Sequence, residues 1–391
     1  LIYGAAGTGK TTLINHVAHF FADRDKIFLA QTNPAVDNLK RRVTATNSVF
    51  MTITKFLGNR NRNTNCDVLV IDECSTVNNR DMIHVLQKVQ CKLLLLVGDS
   101  HQIASIRFGN WFGVARYFVP ATSVFELEVP FRSTDKGLLT LWSRVRKMDE
   151  TILELITKQE YSTRLDDSIF STAEKDEIIL CLNYDGLYGI NNINRFLQEN
   201  NPHSPVTWGI LQYKIDDPIL FNESERFTPI IYNNMKGRIV GIERRYDGTP
   251  NEEIQFDIEL ETVINELDAW GQEFELLENS PAGNSIIRFV VKKTKSVDDD
   301  GEDNSNTIVP FQVAYAVSIH KAQGLEYRSV KIVITDEVDE MISHSIFYTA
   351  ITRAREKLKI YWTPEVENKV LSNMAPMDRN KDVMILRKYG L

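Results

Sequence analysis

The sequence predicts an α/β fold: two domains built on parallel sheets, the second interrupted by a small β-rich insertion. Three observations carry this. A glycine-rich loop, Gly4-Ala5-Ala6-Gly7-Thr8-Gly9-Lys10-Thr11, stands between the apolar run Leu1-Ile2-Tyr3 and a helix-forming stretch. Short, almost wholly apolar runs then alternate with amphipathic helical patterns, as expected of strands covered on both faces by crossover helices. Between residues 214 and 307 that rhythm gives way to alternating runs bounded by turn signals, and it resumes at 311.

In the first domain, strands are predicted over 27–30, 48–53, 68–72, 93–98 and 123–127, and helices over 10–21, 34–42, 79–89 and 136–146. Each strand runs into a polar loop, where open parallel sheets place their ligands. Residues 148–175 are polar and weakly periodic and read as a helical connector. A second α/β unit opens with a strand at 177–182 and a helix at 190–198. The insertion offers strands at 237–242, 254–260 and 286–291, turn signals at Asp247-Gly248 and Pro281-Ala282-Gly283, and an acidic tip over 298–306. The α/β pattern then returns with a strand at 330–335, a helix at 343–355 and a strand at 358–361. The implied domains are 1–150, a connector at 151–175, a second α/β domain from 176–213 and 308–391, and the insertion at 214–307.

At 391 residues, 43% apolar and 25% charged, the chain has the make-up of a globular protein with more than one core. It has no apolar run long enough for a spanning helix, and its start lacks the basic region and cleavage site of a secretory signal. Cys66, Cys74, Cys91 and Cys181 show no metal-ligand spacing, and Cys74 and Cys181 fall in or beside core strands. Buried free thiols fit a reducing, cytoplasmic setting. The net charge of −8 argues against a generic polyanion-binding surface but allows a groove lined with basic residues. Because the phosphate loop begins at residue 4 without an initiator Met, an upstream region or partner subunit is expected to precede the first strand.

The motifs specify phosphate chemistry. In the pattern G-x-x-x-x-G-K-[ST], backbone N–H groups around Gly4, Gly7, Thr8 and Gly9 cradle a β-phosphate, with Thr12 in the first turn of the helix. Lys10 would reach the β/γ oxygens and the Thr11 hydroxyl would ligate Mg²⁺. The run Val68-Leu69-Val70-Ile71 ends in Asp72-Glu73, placing Asp72 for the metal and Glu73 to orient and deprotonate a water. A third strand runs into Gly98-Asp99-Ser100-His101-Gln102, where the Gln102 amide would meet a γ-phosphate oxygen.

The spacing of these three loops resembles superfamily 1 helicases, in which G-D-x-x-Q couples the γ-phosphate to bound nucleic acid. The resemblance recurs along the chain. Gln31-Thr32-Asn33-Pro34-Ala35-Val36-Asp37-Asn38-Leu39 resembles the motif that grips the strand backbone, and Thr52-Ile53-Thr54-Lys55-Phe56 resembles T-I-H-x-L with Thr54 in place of His. Val317-Ser318-Ile319-His320-Lys321-Ala322-Gln323-Gly324-Leu325-Glu326-Tyr327 and Tyr348-Thr349-Ala350-Ile351-Thr352-Arg353-Ala354-Arg355 look like the long and last motifs of the second motor domain. With Tyr184-Asp185-Gly186-Leu187-Tyr188-Gly189-Ile190-Asn191, the match is closest to RecD-like members of the 5′→3′ class and runs from residue 1 to about 362.

That resemblance implies two RecA-like (P-loop NTPase) domains with ATP and Mg²⁺ between them. It assigns Arg353 as an arginine finger that arrives when the second domain closes, and Arg132, in Val129-Pro130-Phe131-Arg132-Ser133, as a second finger. Gly324 and Glu326 would meet the nucleotide, Glu326 at the ribose. Thr32, Asn33, Thr52, Ser318 and His320 would hold the phosphates of a single strand. The insertion resembles the SH3-like module that helps enclose the strand, with Asn233-Asn234-Met235-Lys236-Gly237 similar to its N-G turn. Phe108 and Trp111 offer rings for base stacking or, equally, for interdomain packing.

One departure concerns unwinding. Family members carry a β-hairpin pin before the acidic strand, where this chain has only the polar run from Gly58 to Cys66. Nine residues make a turn rather than a rigid hairpin. The expected activity is ATP hydrolysis driving 5′→3′ translocation on single-stranded DNA, with RNA left open, no membrane partner, and duplex unwinding. The rival is a nucleic-acid-gated ATPase switch that signals to another domain without robust unwinding.

Overall fold

The computed structural model describes the chain apart from residues 60–63, 104–110, 172–174, 223–224, 229, 247–251, 294–306, 337–341, 375–382, 385–386 and 389–391. In chain order the described elements begin β1 (Ile2–Gly4), α1 (Lys10–Phe20), β2 (Lys26–Ala30), α2 (Asn33–Arg42), β3 (Ser48–Thr52), α3 (Ile53–Gly58), β4 (Thr64–Ile71), α4 (Asn79–Lys88) and β5 (Val89–Gly98). There follow α5 (Trp111–Ala115), β6 (Phe125–Leu127), α6 (Lys136–Lys147), α7 (Ile152–Lys158), β7 (Ser162–Thr163), β8 (Glu177–Cys181), α8 (Ile190–Asn200), β9 (Val206–Trp208), β10 (Leu211–Tyr213) and β11 (Pro218–Phe221). The remainder comprises β12 (Lys236–Tyr246), β13 (Glu252–Leu260), α9 (Glu266–Ala269), β14 (Glu275–Leu276), β15 (Ile286–Lys292), β16 (Phe311–Val313), β17 (Ala316–Ser318), β18 (Tyr327–Val333), α10 (His344–Ile351), β19 (Ala354–Tyr361) and α11 (Pro364–Ser372).

Two compact units emerge. The first joins Leu1–Asp166 to Ala322–Leu391, and the second is Asp167–Lys321. The first unit thus takes β18, α10 and β19 along with the N-terminal sheet, while β8 and β17 fall in the second.

The N-terminal sheet has the order β3-β2-β4-β5-β1-β6, with the recorded pairings all parallel. The stretches 27–30, 68–71 and 93–97 of its central strands are apolar throughout because each face has its own core. Alternate residues point to opposite sides. Tyr3, Ile27, Leu29, Leu69 and Ile71 pack with Ile53, Phe56, Met82 and Val85, from α3 and α4. Ile2, Phe28, Ala30, Val68 and Val70 pack on the other face with Ile14, Ala18, Val36 and Leu39, from α1 and α2. This order sets β4, β5 and β1 side by side, so the three phosphate-chemistry loops leave adjacent carboxyl ends.

In the same unit β18 pairs in parallel with β19, and β19 with β7. The connector is therefore only partly helical: after α7 it contributes a short strand. Helix α10 ends at Ile351, four residues before the expected end, because β19 begins pairing at Ala354 opposite Tyr327. Arg353 consequently lies in the turn between α10 and β19. His344, at the first position of α10, is buried and its Nε2 meets the Val145 carbonyl at 2.7 Å. A carbonyl only accepts, so that nitrogen carries the proton. Burial holds the His344 pKa below its ordinary 6.5, so beneath that value the unfolded chain takes up a proton the folded ring resists. The expected result is a melting temperature that falls between pH 7.5 and 5.5, with a smaller fall in His344→Gln, measured by thermal denaturation of both chains at each pH.

In the second unit, β17 and β8 pair in parallel, and the insertion is an antiparallel sheet ordered β14-β15-β13-β12-β11-β16. Its core is aromatic: Phe221, Phe227, Phe256, Phe289 and Phe311 pack together, and Arg226 lies over Phe227 while bonding Glu273 at 2.7 Å. The turn expected at Asp247-Gly248 and the acidic tip of the insertion lie outside the described residues. Cys74 and Cys181 are buried free thiols, as expected; Cys66 and Cys91 are partly exposed and stand in register on β4 and β5. Among the described residues no helix is long and apolar enough to cross a membrane.

Candidate nucleotide site

A polar cavity of about 380 Å³ opens at the carboxyl ends of β4, β5 and β1, wholly within the first unit. Gly7, Thr8, Gly9, Lys10, Thr11 and Thr12 line it from the phosphate loop, Asp72 and Glu73 from the end of β4, and Gln102 from the loop after β5. Arg132 enters from the segment after β6, and Gly324, Glu326 and Arg353 complete the wall. Of the nucleotide-site residues expected from sequence, only Gly4 stays out of the lining, since it closes β1.

Two glycines in the wall hold left-handed backbone, and at the first of them close approach also excludes a side chain. Gly7 has φ +74°, and a Cβ there would stand 2.3 Å from the Cβ of Arg132. Gly324 has φ +81°, with the Glu73 carboxylate 3.7 Å from where its Cβ would lie. Both are left-handed positions that glycine adopts freely. Glu73 itself has φ 52°, an unusual conformation for a non-glycine residue that turns the chain sharply after Asp72.

The charges are crowded. The Lys10 ammonium donates to the carbonyls of Gly4 and Ala5, each at 2.9 Å, and burial lowers its pKa. Burial raises Asp72, whose Oδ1 accepts the Glu73 N–H at 2.8 Å. Burial and the neighbouring Asp72 carboxylate raise Glu73 to about 7. Arg132 pairs with Glu326 at 2.7 Å and donates to the Thr352 carbonyl at 3.1 Å. Burial opposes ionisation of Glu326, yet Arg132 and Arg353 hold its pKa below the usual range. Arg353 donates to the carbonyls of Thr349 and Leu325 and to the Thr352 hydroxyl. Burial and the adjacent Arg132 lower its pKa to about 10. Glu326 thus pairs with Arg132 while lining the cavity, and Arg353 lines it as well.

The residues proposed to grip a strand are less concentrated. The Thr32 and Thr52 hydroxyls cap α2 and α3, accepting the N–H groups of Ala35 and Lys55, and each keeps its hydroxyl proton to donate. Asn33 is exposed beside Thr32. These three lie at the carboxyl ends of β2 and β3, on the same sheet edge as the cavity. In the second unit, Ser318 is buried and accepts the Lys321 N–H, and His320 is half-buried. Trp111 is half-buried: its indole donates to the Val77 carbonyl at 2.8 Å and its ring packs on the core of the first unit's own sheet. Phe108 lies outside the described residues, as do residues 60–63 of the pin interval. Thr64, Asn65 and Cys66, the end of that polar run, belong to β4.

Sequence reading missed several lining residues: Asn38, Arg42, Ser75, Phe131 and Arg355. Asn38 and Arg42 stand four apart on α2, the helical spacing that puts both on one face. Phe131 is 76% exposed next to Arg132, and its N–H donates to the Gly7 carbonyl at 2.6 Å.

Comparison with known proteins agrees with this geometry. Residues 1–165 match an AAA domain family and residues 313–361 match the UvrD-like helicase C-terminal domain. The RecBCD enzyme subunit RecD of Haemophilus influenzae is 24% identical over 75% of this chain and 50% of its own length. These matches support a RecD-like superfamily 1 helicase. An uncharacterized protein of Methanocaldococcus jannaschii is 23% identical over 97% of this chain and 38% of its own. This chain therefore spans half or less of the length of those two relatives. Among solved structures, Pif1 helicase from Bacteroides in complex with ADP-AlF3 and single-stranded DNA superposes with a TM-score of 0.55 at 17% identity, covering 100% of this chain and 93% of that one. The shared fold is that of two RecA-like α/β domains.

Proposed function

We propose that the chain is an ATP-dependent motor that hydrolyses ATP to translocate 5′→3′ along single-stranded DNA and to separate strands. The observation that carries this reading is the convergence of Lys10, Asp72, Glu73, Gln102, Arg132 and Arg353 on one cavity. A loose phosphoryl-transfer transition state spreads charge over the γ-oxygens, and cations already fixed there lower its energy. Lys10, Arg132 and Arg353 supply that charge. Glu73 takes the proton of the attacking water, for which a carboxyl raised toward neutrality is suited. Gln102 contacts the γ-phosphate, and Phe131 offers the base an apolar face at the cavity mouth.

The donor set also fits Mg²⁺. Asp72 is a buried carboxylate with a single recorded N–H partner, beside the Thr11 hydroxyl, and hard oxygen donors suit that ion. When bound, the ion would neutralise charge on the phosphates; the protein's part is to hold Asp72 and Thr11 at one wall. Thr32, Asn33, Thr52, Ser318 and His320 hold the strand, and the insertion, which we read as SH3-like, helps enclose it. RecD and Pif1 relatives, one solved with single-stranded DNA, support DNA as the polymer.

The test is steady-state ATPase with and without single-stranded DNA or RNA of matched length, together with displacement of streptavidin from either end of a labelled strand. At least about tenfold stimulation by DNA and preferential clearance of the 3′ end are expected for a 5′→3′ motor. ATPase unaffected by either polymer would overturn the motor reading.

A further inference from the structure

Two long-range hydrogen bonds of the first unit meet at the side chain of Tyr348, the first residue of the last motif, to which the motif itself assigned no role. Tyr348 lies in α10, fully buried, four residues before Thr352 and five before Arg353. Its hydroxyl accepts the N–H of Ala6, in the phosphate loop, at 3.3 Å and donates to Asp99 Oδ2, in the loop after β5, at 3.1 Å. Ala6 is 1% exposed and Asp99 2%, so water competes for neither contact. Asp99 is fixed from its other oxygen by the His101 N–H at 3.1 Å and lies 3.8 Å from Arg146. The next residue of α10 repeats the link, since the Thr349 hydroxyl accepts the Ile103 N–H at 3.0 Å.

We infer that the Tyr348 hydroxyl is a positioning residue for ATP hydrolysis, tying the phosphate loop and the Gln102 loop to the helix that presents Arg353. The inference rests on the ATPase reading above and goes beyond it, because Tyr348 is fully buried and is not among the residues that line the cavity. A tyrosine hydroxyl both donates and accepts. One group can therefore join a backbone N–H from one loop to a carboxylate from another. The Thr352 N–H donates to the Tyr348 carbonyl at 3.2 Å, so displacement of the ring is transmitted to the turn that holds Arg353. Any shift of the Ala6 peptide when triphosphate enters is felt at the same atom. Burial in an apolar helix face raises the phenol pKa, with Asp99 adding to the effect, so the group stays a protonated donor throughout the working pH range.

Tyr348→Phe keeps the ring and its contacts with His101 and His344 but deletes the bridge. The expected result is a kcat lowered about 10- to 100-fold with KM for ATP within about threefold, and a fluorescent ADP analogue bound as in the wild type. A double-mutant cycle separates positioning from mere packing. If Tyr348 acts through Arg353, Tyr348→Phe should change the residual rate of Arg353→Ala by less than about twofold. Asp99→Asn, which weakens the same bridge from its other end, should lower kcat in the same direction and serves if Tyr348→Phe does not fold. Wild-type kcat in both single variants, or an equal loss on the Arg353→Ala background, overturns the inference while leaving the ATPase reading intact. A wild-type chain that hydrolyses no ATP overturns both.

Discussion

Glu73→Gln is expected to lower kcat about 10³-fold, the middle of the range for a general base, while leaving nucleotide binding within a few-fold of wild type. The expectation follows from where the chain has placed this carboxyl. The apolar strand β4 ends at Ile71, Asp72 is buried, and Glu73 is turned out of the strand by a left-handed backbone. It then faces the left-handed Gly324, whose missing side chain leaves room beside the carboxylate. An amide fits the same space and keeps hydrogen-bonding capacity, but it has no free lone pair basic enough to take a proton from water. Single-turnover phosphate release measures the loss, and a fluorescent ADP analogue measures retained binding. ATPase at the wild-type level in Glu73→Gln would overturn the assignment of the base. Loss of nucleotide binding in step with hydrolysis would point instead to a wall residue.

Much of the first unit was legible because its information is local. Alternation within runs such as Ile27-Phe28-Leu29-Ala30 and Val68-Leu69-Val70-Ile71 is hidden in composition, since both faces are apolar, yet their brevity and their polar ends mark parallel strands. The motif residues sit at strand ends, and the order β4-β5-β1 then brings them together without further instruction. Boundaries shifted where tertiary pairing decided them. The helical pattern of 343–355 continues past Ile351, but pairing of Ala354 with Tyr327 converts its last residues into turn and strand. Likewise 48–53 reads as one strand, whereas the Thr52 hydroxyl caps α3 and starts a helix at Ile53.

What was not legible are contacts between residues far apart in sequence. The Ala6–Tyr348–Asp99 bridge spans 342 and 249 positions, and although Tyr348 opens the last motif, nothing in local pattern shows what its hydroxyl bonds. The pairing of Arg132 with Glu326 is of the same kind: each was assigned to the nucleotide separately, and their mutual salt bridge appears only in three dimensions. Trp111 is a further case: an aromatic next to a sensor loop leaves base stacking and interdomain packing equally open, and its bond to the Val77 carbonyl appears only in three dimensions.

Arg353→Ala is the second large effect expected, a kcat lowered about 10³-fold with little change in KM, the signature of charge supplied chiefly in the transition state. A factor of that size corresponds to about 4 kcal/mol of barrier. The electrostatics of the cavity say why the arginine is there. Its guanidinium is 2% exposed and stands beside Arg132, an arrangement that costs stability on both counts and lowers its pKa to about 10. A buried cation pressed against a like charge is retained where an anion comes to meet it, and the triphosphate is that anion. The bonds to the carbonyls of Thr349 and Leu325 hold the side chain in place in the meantime, so little rearrangement is left for the reaction itself. Arg353→Lys keeps the charge and most of the stem but loses the planar fork that engages two carbonyls at once, and at least tenfold loss is expected there as well. Thermal melting of all three chains accompanies the kinetics, since truncating a buried arginine leaves carbonyls without donors. A variant that folds, binds ADP and retains wild-type kcat would remove Arg353 from the chemistry. It would leave Lys10 and Arg132, the latter now paired with Glu326, as the cations that stabilise the transition state.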